Sequence, residues 1–508
     1  MSIGRQVSRG VFWVGVSTLT AQALAFATSL ILMRVLPRSD FGLIAMAGLA
    51  ISALQLFREF GFGSALIYRR DRVREAADTM FVMLFLISLI LYAIAYLGAP
   101  AVATFFNPKP EEMRQRLELI QILRVLSLIM VIGSLGQVPL TMLAKQMDFR
   151  RRLLPDIVPE VIKDITSITL ALKGFGVWSL VVGQIVDITF TTILAWVVSP
   201  LRPRIHFNKT IAREMFDYGK HIQGSQLLIF FITNLDNLFV GRLLGEDSLG
   251  VYSRAYNLSN LPATHITRLV GQVMFPAFSQ VRESMADLRR VFLRAVKYTS
   301  MISIPVSLTI LVFSPAFMDI LFGAKWHAAI VPMQLLAIYG LLRSIAGNMG
   351  DVFKAGGKPQ WLTGIAAWRL VTMLVFLYPA TVKYGIVGVS ALSAIVAIVD
   401  YMISMFLVNR LAKTTVGDFA RILGPFFGLA IVAVVVAELA FKASYSFYPP
   451  LALIIAGVTM VIVYASLVLS LDGEVRTRMV GLMSEVPVGL RLLQRLGIRP
   501  VVFPADQP

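Results

Sequence analysis

The chain reads as long apolar runs separated by short polar ones. A helix that crosses a bilayer needs about 20 mostly apolar residues. Fourteen stretches of the 508-residue sequence meet that pattern: 11–36, 41–66, 77–100, 117–143, 154–173, 176–199, 215–243, 248–278, 296–322, 329–353, 359–381, 385–408, 420–440 and 450–471. The run 80–97 carries no charge, whereas 154–172 holds Asp156, Glu160, Lys163 and Asp164. A lipid-facing helix does not tolerate that load, but a helix lining a polar interior does. The pattern predicts an all-α polytopic membrane protein of about 14 transmembrane helices. Arg5 and Arg9 ahead of an apolar run mimic a secretory leader. That run continues to Leu36, too long for a leader's apolar segment, and is read as an uncleaved first span.

Charge orients the spans. With the N-terminus in the cytoplasm and the spans alternating, 29 basic residues fall in inside segments and 10 outside. That excess follows the positive-inside rule and supports an even span count, with both termini cytoplasmic. The formal net charge of +18 then belongs to inner loops facing an anionic leaflet, and no nucleic-acid partner is needed. Residues after Asp472 alternate Leu and Val with Arg, which fits either an amphipathic surface helix or a frayed tail.

Composition narrows the function. Hydrophobic residues make up 57% and charged ones only 15%, which excludes a disordered chain and most soluble enzymes. Cysteine is absent and the four histidines are scattered, so no metal site is implied. The GGKP at Gly356 lacks the hydroxyl and spacing of a phosphate-binding loop, which excludes ATP hydrolysis by this chain. No catalytic array and no cofactor site has support.

The chain also repeats itself. RVLPRSDFGL from Arg34 recurs as RLLGEDSLGV from Arg242, an offset of 208, and Gly176 aligns with Gly385 at 209. The repeat predicts two six-helix bundles, residues 1–205 and 206–412, then two extra spans within 413–471 and a cytoplasmic tail, 472–508. Six spans is an even number, so the halves run parallel and are related by a pseudo-twofold axis along the membrane normal, with a substrate path between them.

Eight basic residues fall inside spans: Arg58, Arg124, Lys163, Lys220, Arg254, Arg268, Arg343 and Arg369. Exposed to lipid, they would cost on the order of 20 kcal/mol on insertion scales. Each can instead be paired or snorkel to an interface: Glu59 adjoins Arg58, and Glu160 and Asp164 flank Lys163. For the set, a cationic lumen is the favoured reading. Arg254, His265 and Arg268 fall within roughly 60° of one another on one helical face. Gln223, Gln226, Thr233, Asn234 and Asn237 give the seventh span a wet face. Cations and amides together suit a phosphate or diphosphate group. Among the intramembrane carboxylates, Asp236 and Asp400 have no basic sequence neighbour and are candidates for ion coupling, with Glu59 as a further one. Prolines such as Pro139, Pro155, Pro159 and Pro305 bend or break their helices.

The motifs RVLPRSDFGL at Arg34, EFGFGSALI at Glu59, YSRAYN at Tyr252, FPAFS at Phe275, FGAKW at Phe322 and KAGGKP at Lys354 occur in that order over about residues 1–410. In this the chain resembles the polysaccharide-type (Wzx-like) lipid-linked oligosaccharide flippases of the multidrug/oligosaccharidyl-lipid/polysaccharide exporter superfamily. The resemblance implies a bacterial inner-membrane protein. It implies that the protein moves undecaprenyl-diphosphate-linked oligosaccharide to the outer leaflet by alternating access, alongside a polysaccharide polymerase and a chain-length regulator. Of the candidate lumen residues only Arg254 lies within a motif. The full candidate set for substrate is Arg58, Arg254, Arg268, Arg343, Arg369, Lys163, Gln223, Gln226 and Asn234. Two rivals stand beside this reading. A cation-coupled small-molecule or drug antiporter of the same superfamily needs an acidic cavity, and the first span has no carboxylate between Val11 and Leu36. A membrane glycosyltransferase needs a sizeable external loop, and 107–116 is short.

Overall fold

A computed structural model describes residues 24–107, 109, 113–146, 148–261, 263–264 and 285–477. They form α1 (Leu24–Val35), α2 (Arg38–Glu59), α3 (Phe62–Tyr68), α4 (Val73–Phe106), α5 (Met113–Leu126), α6 (Leu128–Lys145) and α7 (Phe149–Leu172). There follow α8 (Val177–Val198), α9 (Lys209–Ser259), α10 (Met285–Phe317), α11 (Ile330–Ala355), α12 (Gln360–Ala412), α13 (Val416–Tyr445) and α14 (Pro449–Leu471). Among the described residues there is no strand, and ten helices are long and apolar enough to cross a membrane. Large apolar side chains such as Ile90, Leu97, Val371, Phe376, Ile454 and Val461 stand exposed. Their solvent is lipid: no soluble protein leaves that much hydrocarbon uncovered. This is an all-α polytopic membrane protein.

Helix lengths explain the bends. At about 1.5 Å per residue, α9 and α12 are more than twice as long as a bilayer core is thick. Each is interrupted by a glycine in a non-helical conformation, Gly245 (φ 80°) and Gly385 (φ 58°). These are the points at which hydropathy separates successive spans. Elsewhere a single apolar run proves to be two helices. The run 41–66 breaks at Phe60 (φ 35°) and Gly61 (φ 70°), both left-handed, and 117–143 breaks at Ser127. Hydropathy integrates over a window and does not register a break confined to one or two residues.

The chain divides into two compact units. The first comprises Met1–Asn257, Leu321–Pro332 and Ala366–Val396; the second comprises Leu258–Ile320, Met333–Ile365 and Ala397–Pro508. In the second unit, Leu288, Phe292, Val296, Met349, Phe353, Phe419 and Phe426 form the main buried cluster. Thr415 and Asp418 form a reciprocal capping box that starts α13, and Arg289 on α10 reaches the same Asp418 at 2.7 Å.

In the first unit, Phe62, Leu66, Met80, Leu84, Val138, Met142 and Met215 knit α3, α4, α6 and α9 together. The repeated motif meets itself here. A Cβ at Gly42 would lie 1.8 Å from the Glu246 carbonyl oxygen, and a Cβ at Gly250 would lie 2.1 Å from the Arg38 carbonyl oxygen. Both pairs are related by the 208-residue offset. The two contacts are therefore reciprocal, as a local twofold relation between repeats requires, and each needs a residue without a side chain. The FGAKW segment packs on the same motif. The Trp326 indole donates to the Met33 carbonyl at 2.9 Å, Lys325 donates to the carbonyls of Arg34 (2.9 Å) and Leu36 (2.8 Å), and Trp326 meets the Phe41 ring edge-on. An ammonium at the carboxyl end of α1 satisfies carbonyls that have no helical partner.

Candidate functional site: a polar cavity in the first unit

The turn that ends α2 builds one wall. Phe60 and Gly61 redirect the chain into α3, which leaves Glu59, Gly63 and Ser64 beside a hollow. The opposite wall is α9. A Cβ at Gly219 would lie 1.9 Å from the Phe60 carbonyl oxygen, so glycine is required for α9 to approach this closely. Phe216, one turn earlier, stacks on Phe60 with ring centroids 4.6 Å apart. That anchor delivers Gln223 and Gln226, one and two turns further along α9, to the hollow. Gln137 and Thr141 on α6 and Arg152 on α7 complete its polar lining, around a volume of about 430 Å³.

The groups fall into two classes. Some are fixed. Arg152 is paired with Asp156 (3.3 Å), and Thr141 Oγ1 donates to the Gln137 carbonyl at 2.8 Å. Others are exposed or incompletely hydrogen-bonded. Gln223 is buried, yet its Nε2 has no hydrogen-bond partner; Gln226 and the Glu59 carboxylate are exposed. Behind Glu59, Arg58 is buried. It donates to the Met130 carbonyl (3.4 Å) and to Glu59 (3.3 Å), while its Nε has no partner. A buried unsatisfied donor costs about 1–3 kcal/mol, which a bound acceptor would recover. Amide, hydroxyl, carboxylate and guanidinium groups around one hollow can hydrogen-bond a polyhydroxylated, anionic group.

The structure thus brings Glu59, Gln223 and Gln226 together, with Arg58 adjoining. Other sequence candidates lie elsewhere. Asn234 lines a second, apolar cavity of about 400 Å³ with Leu49, Ala53, Phe105 and Phe230, and its amide donates to the Phe230 carbonyl. Asp236 is buried and accepts from the Tyr252 hydroxyl (2.7 Å) and the Asn237 amide (2.8 Å). Arg254 lies 4.7 Å over the Phe41 ring. Lys163 is paired with Glu160 and lies 3.9 Å from Asp164. Arg369 is half-buried in the first unit. In the second unit Arg343 donates to the Tyr339 hydroxyl (3.2 Å), and Asp400 is buried. His265 and Arg268 lie outside the described residues. Arg152, Gln137, Thr141 and Ser64 join the site without a sequence signal. Arg152 reads as one more inner-loop cation, but Asp148 accepts from the Arg151 amide and starts α7 early enough to put Arg152 on the helix.

These features define a class: a polytopic α-helical membrane protein with a polar chamber. The fold agrees. The lipid II flippase MurJ in an inward closed conformation superposes with a TM-score of 0.70 at 14% identity, over 90% of this chain and 99% of that one. An inward-facing multidrug resistance MATE family transporter of the MOP superfamily gives 0.61 at 20% identity, over 80% and 99%. The family model described as "Polysaccharide biosynthesis protein" matches residues 31–331, and the chain belongs to that family. Relatives include the teichuronic acid biosynthesis protein TuaB of Bacillus subtilis (strain 168), 26% identical over 85% of this chain and 89% of its own. The lipopolysaccharide biosynthesis protein WzxC of Escherichia coli (strain K12) is 23% identical over 81% and 82%. The succinoglycan biosynthesis transport protein ExoT of Rhizobium meliloti (strain 1021) is 25% identical over 81% and 79%.

Proposed function

We propose that this chain is an inner-membrane flippase that moves undecaprenyl-diphosphate-linked oligosaccharide repeat units to the outer leaflet for surface polysaccharide synthesis. Fourteen crossings, arranged as repeats 1–205 and 206–412 plus two further spans, place both termini in the cytoplasm. The observation that carries the reading is the polar cavity around Gln223, Gln226, Glu59 and Arg152, in a membrane protein of a polysaccharide-biosynthesis family. A sugar diphosphate cannot enter hydrocarbon with its charge unpaired. Amides and a guanidinium replace its lost hydration, while the lipid tail stays among the acyl chains. By the positive-inside orientation the cavity opens toward the cytoplasm, since Arg69, Arg70, Arg72 and Arg74 follow directly on α3. The remaining candidates, Arg254, Arg268, Arg343, Arg369, Lys163 and Asn234, would serve later stages of the passage, before delivery to a polymerase and its chain-length regulator.

Disrupting the gene in its host tests this. Lipid-linked repeat units should accumulate and surface polysaccharide should disappear. The wild-type gene restores export. A Gln223→Ala/Gln226→Ala double variant, present in the membrane at wild-type level, does not. Full rescue by that variant removes the cavity from the pathway.

A further inference from the structure

Two glycine contacts tie α2 to α9. Gly219 lies against the Phe60 carbonyl near one end of α2, and Gly42 lies against the Glu246 carbonyl near the other. The two helices therefore run antiparallel, and the stretch between those contacts is held in register. The polar cavity uses only the end nearer Gly219. Further along, Leu49, Ala50 and Ala53 on α2 and Phe230, Asn234 and Leu238 on α9 line the second cavity, of about 400 Å³. A third wall comes from α4, through Ala101 and Phe105 just beyond Pro100. The alanines leave the room that larger side chains would fill.

The two cavities adjoin. On α2 the lining passes from Leu56 in the polar cavity to Ala53 in the apolar one, and on α9 from Gln226 to Phe230, one helical turn in each case. By the positive-inside orientation the apolar cavity lies on the outer side of the polar one. The chemistry changes across that single turn. Among the described residues that line the apolar cavity, Asn234 alone is polar, and its amide is turned back onto α9: it donates to the Phe230 carbonyl (2.9 Å) and to Thr233 Oγ1 (3.1 Å). Water is held where it finds roughly two to four polar partners, so it is a poor occupant here. Ligand sites span about 300–1,000 Å³ and are mostly apolar, which this hollow matches. Ala101, Phe105 and Phe231 are exposed, so it opens at the surface of the unit.

We propose that this cavity binds the part of the polyprenyl chain next to the diphosphate while the headgroup occupies the polar cavity; the rest of the chain stays among the acyl chains. The proposal rests on the flippase reading and refines it. Headgroup and chain are one covalent unit, so a track that is polar at one end and apolar at the other holds the lipid at the junction between them, where Leu56 and Gln226 give way to Ala53 and Phe230. That continuity selects a prenyl diphosphate over a bilayer phospholipid. A phospholipid entering from the outer leaflet would set its phosphate at the opposite rim, where the Arg242 guanidinium lies 5.4 Å over the Phe105 ring.

Photolabelling tests this. The full-length protein, in vesicles containing phosphatidylglycerol, is given undecaprenyl diphosphate with a photoreactive diazirine on the chain close to the diphosphate. Mass spectrometry of its peptides should place the adducts within 49–53, 101–106 and 230–238. An Ala50→Phe/Ala53→Phe double variant fills the cavity without altering a residue of the polar one, and should lower that labelling several-fold at unchanged abundance. Phosphatidylglycerol carrying the same diazirine should not concentrate in those segments. Undecaprenyl adducts spread over exposed apolar positions such as Ile90 and Ile454 overturn the proposal. So does equal labelling of the cavity by the phosphatidylglycerol probe, which would assign it to a phospholipid. If the filled variant fails to fold, the adduct map of the wild-type protein still decides. The map requires no transport, so its failure leaves the flippase reading standing. Normal surface polysaccharide after gene disruption would remove the flippase reading and leave a mapped prenyl site in place.

Discussion

Arg58 shows how an intramembrane cation is tolerated. Its guanidinium is shared between Glu59 and the Met130 carbonyl, and one nitrogen is kept in reserve beside the cavity. Sequence alone left pairing and a lumen role both open for this residue, and the geometry contains elements of each. Gln223 and Gln226 were legible because helical spacing is local. Arg152 was not, because its place depends on a cap at Asp148 and on walls contributed by α2, α6 and α9. Arg152→Ala should remove a positive group from the cavity and strand Asp156. We expect lower polysaccharide export at unchanged membrane abundance, and export equal to wild type would exclude Arg152 from binding. Gly219→Ala should act differently. Its Cβ would collide with the Phe60 carbonyl, and overpacking of this kind costs about 1–3 kcal/mol. The midpoint of thermal unfolding in detergent should fall, and export should fall with it.

At the level of the helix, hydropathy found the spans but not their joints. The breaks at Gly245 and Gly385 coincide with sequence gaps between apolar runs, whereas the break at Phe60–Gly61 lies within one and creates the cavity wall. The Gly42–Glu246 and Gly250–Arg38 contacts give the repeat a physical meaning that an offset alone does not. Gly42→Ala and Gly250→Ala should each destabilise the fold, by similar amounts, since the contacts are reciprocal. A loss in only one of them, measured by thermal unfolding, would break the equivalence. In the second unit the end of α14 is clasped to α10: Asp472 lies 2.8 Å from Lys297, and Glu474 lies 2.9 Å from it. Burial opposes the charge on Asp472, but hydrogen bonds from Lys297 and the Val475 amide outweigh it and hold its carboxyl below the ordinary 3.8. A depressed carboxylate contributes stability that is fully present above its unfolded value and is lost as pH falls through the folded one. The clasp should therefore hold at neutral pH and weaken below about pH 4. Asp472→Asn should lower the unfolding midpoint at pH 7, with the difference from wild type vanishing in strong acid.

For the whole molecule, apolar content and inner basic loops established a polytopic membrane protein, and the ordered motifs pointed to its family. The position of the polar cavity was less legible. A cationic lumen inferred from eight intramembrane basic residues does not specify which of them share a space. In the first unit Lys163 and Arg254 have partners of their own, and the polar groups lining the hollow are mostly amides and hydroxyls, beside Glu59 and Arg152. The motif RVLPRSDFGL and the FGAKW segment serve helix packing instead, through Gly42 and Trp326. The most direct measurement is therefore transport itself. Purified protein in sealed vesicles, given a polyprenyl-diphosphate-linked oligosaccharide in one leaflet, should deliver it to the other, as read by access of an external glycosidase. The Gln223→Ala/Gln226→Ala variant should leave the substrate where it started. Equal delivery by wild type, variant and protein-free vesicles would contradict the account.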